Sequence, residues 1–123
     1  MKEVTAHHVG IHSKLKIYSI AYQNSSIPHL YKIPLYDNNG LPSLHGPDYI
    51  KFQVGNPNEV GFNGVTNEAL LAIIRDRLIA FQSSKFACVE NQQALVHVDE
   101  ALEVLKRRTR DRITRKVEGT HIV

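Results

Sequence analysis

The sequence predicts an α+β fold: a small antiparallel β-sheet followed by a long antiparallel two-helix hairpin, completed by oligomerisation. Three observations carry this. The chain changes character near residue 64, because all five prolines, all five tyrosines and most of the glycines precede that point. Beyond it, apolar residues recur at three- and four-residue spacing through two long stretches. The joint between those stretches is short enough to force the two helices antiparallel. A chain of 123 residues, 42% of them apolar, makes a single domain with a modest core. It divides into a β-rich part (1–64), a helical hairpin (65–116) and a C-terminal tail (117–123). Neither part buries much by itself, so association of copies is the natural way to complete the core.

Residues 16–22, K-I-Y-S-I-A-Y, are rich in β-branched and aromatic side chains and predict a strand. Residues 27–36 hold Pro28 and Pro34 with short apolar pieces between them, which predicts an edge strand or irregular chain. Asp37-Asn38-Asn39-Gly40 is a turn with Gly40 at positive φ. Residues 43–48 are loop. Residues 49–54, Y-I-K-F-Q-V, alternate and predict a second strand. Residues 55–61 are another turn region. Thr66 then caps a helix whose first turn carries Glu68, the favourable charge for a helix N-terminus. Leu70 or Leu71, Ile74, Leu78 and Phe81 form its apolar stripe, and it ends near Gln82. Ser83 and Ser84 make the connection, and either could cap the next element. The second helix aligns Asn91, Leu95, Val98, Leu102, Leu105, Thr109 and Arg112 on one side. Its stripe begins and ends in polar residues.

The end of that helix is the chain's most unusual feature. Residues 106–116, K-R-R-T-R-D-R-I-T-R-K, hold seven of the 15 Lys and Arg residues, opposed by Asp111 alone. Cations suit a helix C-terminus, so a solvated helix end is one reading. Spacing favours another. Arg108, Arg112 and Arg115 recur at three and four residues and share a face. That face prolongs the Leu102–Leu105 stripe, so Arg108 and Arg112 are expected to be partly covered. Guanidinium forks at covered positions suit bidentate binding of phosphate or carboxylate. At the opposite end of the hairpin, Phe81 closes the first helix and Asn91 opens the second. An aromatic ring beside a side-chain amide can stack a purine and read its edge. Core packing for Phe81 and a capping role for Asn91 are the alternatives.

Other chemistry finds little support. His7, His8, His12, His29, His45, His97 and His121 match no zinc spacing, and one cysteine offers little sulfur ligation. No metal site and no cofactor is expected. Cys88 is expected to be buried and inert, since His97 lies more than two helical turns away. There is no G-x-G-x-x-G or P-loop, and Gly55, Gly61 and Gly64 are isolated. No carboxylate pair or nucleophile–base arrangement points to an enzyme. The single cysteine, the polar opening M-K-E-V-T-A-H-H and the lack of an 18-residue apolar run predict a chain of a reducing compartment without signal peptide or membrane span. A net charge of +3, concentrated at one end, disfavours nucleic acid, although a basic nucleic-acid-binding module remains the competing class.

G-F-N-G-V-T-N-E-A-L-L-A-I (61–73), D-R-L-I-A-F-Q (76–82), F-A-C-V-E-N (86–91) and R-T-R-D-R-I-T-R-K-V-E-G-T-H (108–121) closely resemble the phage Thoeris anti-defence sponge family. The hairpin is also similar to that of phage anti-CBASS cyclic-nucleotide sponges. The resemblance covers roughly residues 49–123. It implies a non-enzymatic protein of the host bacterial cytoplasm, assembled as a homodimer or higher homo-oligomer. Such a protein sequesters cyclic ADP-ribose isomers made from NAD by TIR-domain immune proteins, and so keeps the Thoeris effector off. Cyclic di- or trinucleotides at separate sites, and hence a sponge blocking CBASS, are the implied alternative. On the matching motifs, Phe81 and Asn91 correspond to the adenine-stacking aromatic and amide, and Arg108 and Arg112 to the phosphate-binding arginines. Arg115 and Lys116 are further candidate phosphate contacts. Two departures stand out. Residues 23–48 look longer than the connection in many relatives, and Val89 stands where relatives often carry arginine after the hairpin cysteine.

One consequence is geometric. Asn91 and Arg108 are seventeen positions apart on one helix, about 25 Å. That is too far for one cyclic ADP-ribose molecule to span. If both serve one site, they come from different subunits, and two-fold symmetry then makes two equal pockets.

Overall fold

The computed structural model describes residues 1–21 and 26–116. Two compact units are present: Met1–Val54 with Phe62–Gly64, and Gly55–Gly61 with the chain from Val65 onward.

The first unit is a four-stranded antiparallel meander in the order β1-β2-β3-β4, formed by Lys2–Val4, Ile17–Ile20, Leu30–Ile33 and Asp48–Lys51. A 3-10 turn, Gly10–Lys14, lies between β1 and β2. Ser19 pairs with Lys2 and with Tyr31, and Tyr31 pairs with Ile50. With period-two alternation, Val4, Ile17, Tyr31, Ile33 and Ile50 share one face. The Phe52 ring meets the Tyr31 ring edge-on at 5.7 Å.

Several strand expectations change. The strand expected over 16–22 occupies Ile17–Ile20, with Tyr22 outside the described residues. The segment expected at an edge is β3, which is flanked by β2 and β4. Pro28 and Pro34 fall just outside the four-residue strand, so neither removes a ladder donor. β1 was not anticipated, because K-E-V is too short for any alternation to register. The strand expected over 49–54 is displaced to Asp48–Lys51, and only Phe52 continues the pairing, its N–H donating to the His29 carbonyl at 2.8 Å. Beyond it the chain turns away and is held by Asn63. The Val54 N–H donates to Asn63 Oδ1 at 2.9 Å, and Asn63 Nδ2 donates to the Val54 carbonyl at 2.7 Å. Gly64 then passes so close that a Cβ would stand 2.4 Å from the Phe52 carbonyl carbon. The 37–40 turn forms as expected. Asp37 Oδ1 accepts the N–H groups of Asn39 and Leu41 at 2.8 and 3.0 Å, with Gly40 at φ 77°.

The second unit opens with one helical turn, α1 (Pro57–Val60), where only a turn was expected. Asn56 caps it, Pro57 occupies its first position, and Gly61 at φ 72° ends it. α2 is Asn67–Gln82 and α3 is Val89–Thr114, the antiparallel hairpin. Thr66 Oγ1 accepts the Ala69 N–H at 3.1 Å, an N-cap worth about 1 kcal/mol. On α3 the expected stripe is the covered one. Asn91, Leu95, Val98, Leu105, Thr109 and Arg112 are half-buried, joined by Asp99, and Leu102 is buried at 8% exposure. On α2 the stripe is rotated from the expected line. Leu70, Leu71, Leu78 and Gln82 are half-buried, whereas Ile74 and Phe81 are exposed. The cause is polar. Arg75 donates to Asp99 at 2.6 Å, and Gln82 bonds the Cys88 peptide, so the side of α2 bearing Arg75 and Gln82 faces α3. Among the described residues only Leu102 is a buried apolar side chain, and no helix is long and apolar enough to cross a membrane.

Candidate ligand-binding site

The first group of candidate residues gathers where α2 hands over to α3. Phe81 is 38% exposed one residue before the end of α2. Its ring meets the Phe86 ring at 6.3 Å and 73°. The Arg77 guanidinium, one turn earlier on α2, lies 5.6 Å from the Phe81 centroid, and the Lys85 ammonium lies 5.3 Å from that of Phe86. Both are cation–π distances. Asn91 is half-buried, and its Nδ2 donates to the Phe86 carbonyl at 3.4 Å. Phe81 and Asn91 therefore meet through Phe86, which touches one by its ring and the other by its carbonyl. That leaves the Asn91 Oδ1 as the acceptor with which its amide can read a base edge.

A set of hydrogen bonds holds this tip. Gln82 Nε2 donates to the Cys88 carbonyl and Gln82 Oε1 accepts the Cys88 N–H, both at 3.0 Å. Ser84 Oγ accepts the Phe86 N–H at 3.1 Å and donates to the Phe81 carbonyl at 2.7 Å. Cys88 is the N-cap of α3, and its Sγ accepts the Asn91 N–H at 3.4 Å. The burial expected for Cys88 is thus corrected: it is exposed, because a capping residue at a hairpin tip stands outside the helix–helix contact. Neither serine caps α3.

The second group lies at the other end. α3 is 26 residues long against 16 for α2. The Arg75–Asp99 bond and the Gln82–Gln92 contact at 3.5 Å set a register in which Asn67, the first residue of α2, lies level with Arg107. Arg108 and Arg112 therefore stand on a part of α3 that extends beyond the start of α2. Arg112 is half-buried as expected, but Arg108 is exposed. At 100° per residue, Arg112 stands about 80° round the helix from Leu102 and Arg108 about 120°. That difference takes Arg108 off the covered side. Arg115 is exposed and its Nη1 donates to Asp111 Oδ2 at 3.1 Å. Lys116, exposed, follows the helix at φ 57°. Arg110 reaches back two turns to Glu103 at 2.6 Å. That hydrogen bond, then the charge of Arg110, holds the Glu103 carboxyl below its ordinary pKa. Arg110 is thereby occupied on a different side of α3 from Arg112.

One chain gathers Phe81 and Asn91 around Phe86 at the hairpin tip, and keeps Arg108 and Arg112 at the hairpin's opposite end. Sequence reasoning missed the roles of Phe86, Arg77, Lys85 and Gln82. Arg77 was findable, since it precedes Phe81 by one helical turn. The contacts of Phe86 and Gln82 depend on how the six-residue turn folds, which no periodicity encodes. Among the described residues, no three His, Cys, Asp or Glu side chains converge as a metal site.

Residues 47–110, more than half of the chain, match the family model described as Acb2/Tad1, hairpin domain. The chain belongs to this family. It is also 49% identical over 72 residues to Thoeris anti-defense 1 of Bacillus phage SBSphiJ7, an alignment covering 58% of this chain and 51% of that protein. This member of the Acb2/Tad1 hairpin family thus aligns with about half the length of that relative.

Proposed function

We propose that this chain is a phage anti-defence protein that binds a cyclic ADP-ribose-type immune signal and holds it without cleaving it, so that a Thoeris effector stays inactive. The observation that carries the reading is the pairing of an aromatic–amide tip with an arginine-bearing far end on one family-matched hairpin. Phe81 stacks the adenine, and Asn91 reads its edge. Arg112, with Arg108 beside it, holds the diphosphate through charge-assisted bonds, and Arg115 and Lys116 add to the same field. The similarity to Thoeris anti-defense 1 supports the biological context.

Each pocket draws on two copies of the chain. Seventeen positions of uninterrupted α3 separate Asn91 from Arg108 by about 25 Å. An antiparallel two-fold pairing brings the tip of one hairpin beside the arginines of its partner. The chemistry is retention. A phenyl ring, an amide and guanidinium groups offer no general base and no nucleophile.

The test is to incubate the protein with a TIR-generated signal, remove unbound material, denature, and determine the mass of what is released. The intact cyclic molecule is the expected product. A linear product would mean catalysis, and no released nucleotide would remove the reading. Binding should also weaken only gently with salt, whereas contact with a duplex backbone falls steeply.

A further inference from the structure

The hairpin tip is bridged by a side chain that the sequence-derived site does not include. Gln82 is the last residue of α2, and its side-chain amide spans the turn to grip the Cys88 peptide by both polar groups. Cys88 in turn caps α3 and receives the Asn91 N–H. Phe86, two residues before Cys88, carries the ring set against Phe81 and the carbonyl that holds Asn91. The path from Gln82 to both groups is therefore two short steps of directed bonds. Gln82 itself is half-buried.

We infer that Gln82 is the positioning residue of the base-reading end: its two-bond clamp on Cys88 sets Phe86 against Phe81 and aims the Asn91 amide. This rests on the sequestration reading for its consequence in binding, but not for the clamp itself. A primary amide fits because it presents one donor and one acceptor side by side, matching the backbone C=O and N–H of a single residue. A carboxylate supplies only acceptors, so it would keep the bond from the Cys88 N–H and oppose the Cys88 carbonyl. A protonated carboxyl restores both partners, since its O–H donates and its C=O accepts.

That chemistry defines the experiment. Gln82→Glu should bind a TIR-generated cyclic ADP-ribose isomer about three- to tenfold more weakly than the unsubstituted chain at pH 8, the scale of one lost hydrogen bond. Affinity should recover as the pH falls through the titration of the new carboxyl. Gln82→Met, similar in size but with neither partner, should stay weak throughout. Each variant is compared with the unsubstituted chain at the same pH, because Arg77, Lys85, Glu90 and the Cys88 thiol share this end of the hairpin. Adenosine 5′-monophosphate and inorganic pyrophosphate then serve as competitors. Gln82→Met should lose competition by the base-bearing probe and keep competition by pyrophosphate.

In the free protein, the Phe81 and Phe86 ring protons and the Asn91 side-chain amide protons should shift in Gln82→Glu at pH 8 and return toward the unsubstituted positions at low pH. Unmoved signals, a pH-flat Gln82→Glu, or equal loss of both competitors would overturn the assignment. Failure of the unsubstituted chain to bind any cyclic ADP-ribose isomer would instead overturn the sequestration reading, while the free-protein signals still decide the clamp.

Discussion

Arg112 and Arg110 are two residues apart and carry the same charge, yet their surroundings differ. Arg112 is half-buried on the side that continues from Leu102, while Arg110 is engaged with Glu103. Arg112→Ala should therefore weaken binding of a phosphate-bearing ring by about 2–5 kcal/mol, the range for truncating one partner of a covered charge pair. Arg110→Ala should cost less, and Arg108→Ala, from an exposed position, should fall between them. Calorimetry with the assembly intact makes the comparison. Unchanged affinity in Arg112→Ala would return that arginine to the role of a solvated helix end. Glu103 gives a second expectation at this scale. Its folded pKa is lowered, chiefly by the Arg110 hydrogen bond. A carboxyl depressed in the folded state adds stability above its unfolded pKa and loses it as the pH falls through the folded value. Arg110→Ala should move the Glu103 carboxyl titration, followed by NMR, upward toward the ordinary value and remove that increment.

At the scale of elements, the helices were legible and the sheet partly so. α3 was readable because Leu95, Val98, Leu102 and Leu105 repeat at helical period over many turns, and the same residues are the covered ones. The α2 face was misread because the residues that turn it toward α3 are Arg75 and Gln82, polar groups whose partners lie 24 and six positions away. A hydrophobic template gives no weight to such cross-links. The tip of the site was half legible for the same reason. Phe81 and Asn91 are candidates by residue type, whereas the contacts of Phe86 and Gln82 come from the conformation of a turn. In the sheet, β3 was demoted by prolines that flank it, and β1 exists only by pairing with β2. Gly64 was dismissed as isolated, yet it is where the chain passes against the backbone of Phe52. Gly64→Ala should destabilise the sheet unit by more than about 2 kcal/mol, because the obstructing atoms belong to backbone and cannot rotate aside. Denaturant unfolding of the full chain measures this. A loss near the few tenths expected for an open surface glycine would mean that the two segments separate at little cost.

At the scale of the molecule, the hairpin leaves apolar side chains exposed on both helices. Ile73, Ile74 and Phe81 on α2, and Val96, Val104 and Ile113 on α3, remain exposed, and among the described residues Leu102 alone is a buried apolar side chain. Sedimentation at micromolar concentration should accordingly show dimers or larger species, and a lone 13.9 kDa species would contradict it. Assembly by itself does not establish that a pocket is shared, and a mixed assembly does. Phe81→Ala in one chain and Arg112→Ala in another, differently tagged, allow mixed dimers to be isolated. If tip and arginines from opposite chains form each pocket, one pocket of the mixed dimer collects both lesions and the other collects none. The mixed dimer should then hold one ligand at near-native affinity, although each mutant dimer binds poorly. Two equally impaired pockets would place Phe81 and Arg112 in separate sites. Removing the ring should cost about 1–3 kcal/mol if it stacks a base. Phe81 also packs against Phe86, so the melting temperature of Phe81→Ala must first match that of the unsubstituted chain. With that control, recovery of one full-strength site cannot come from altered folding, because both lesions are still present in the same particle.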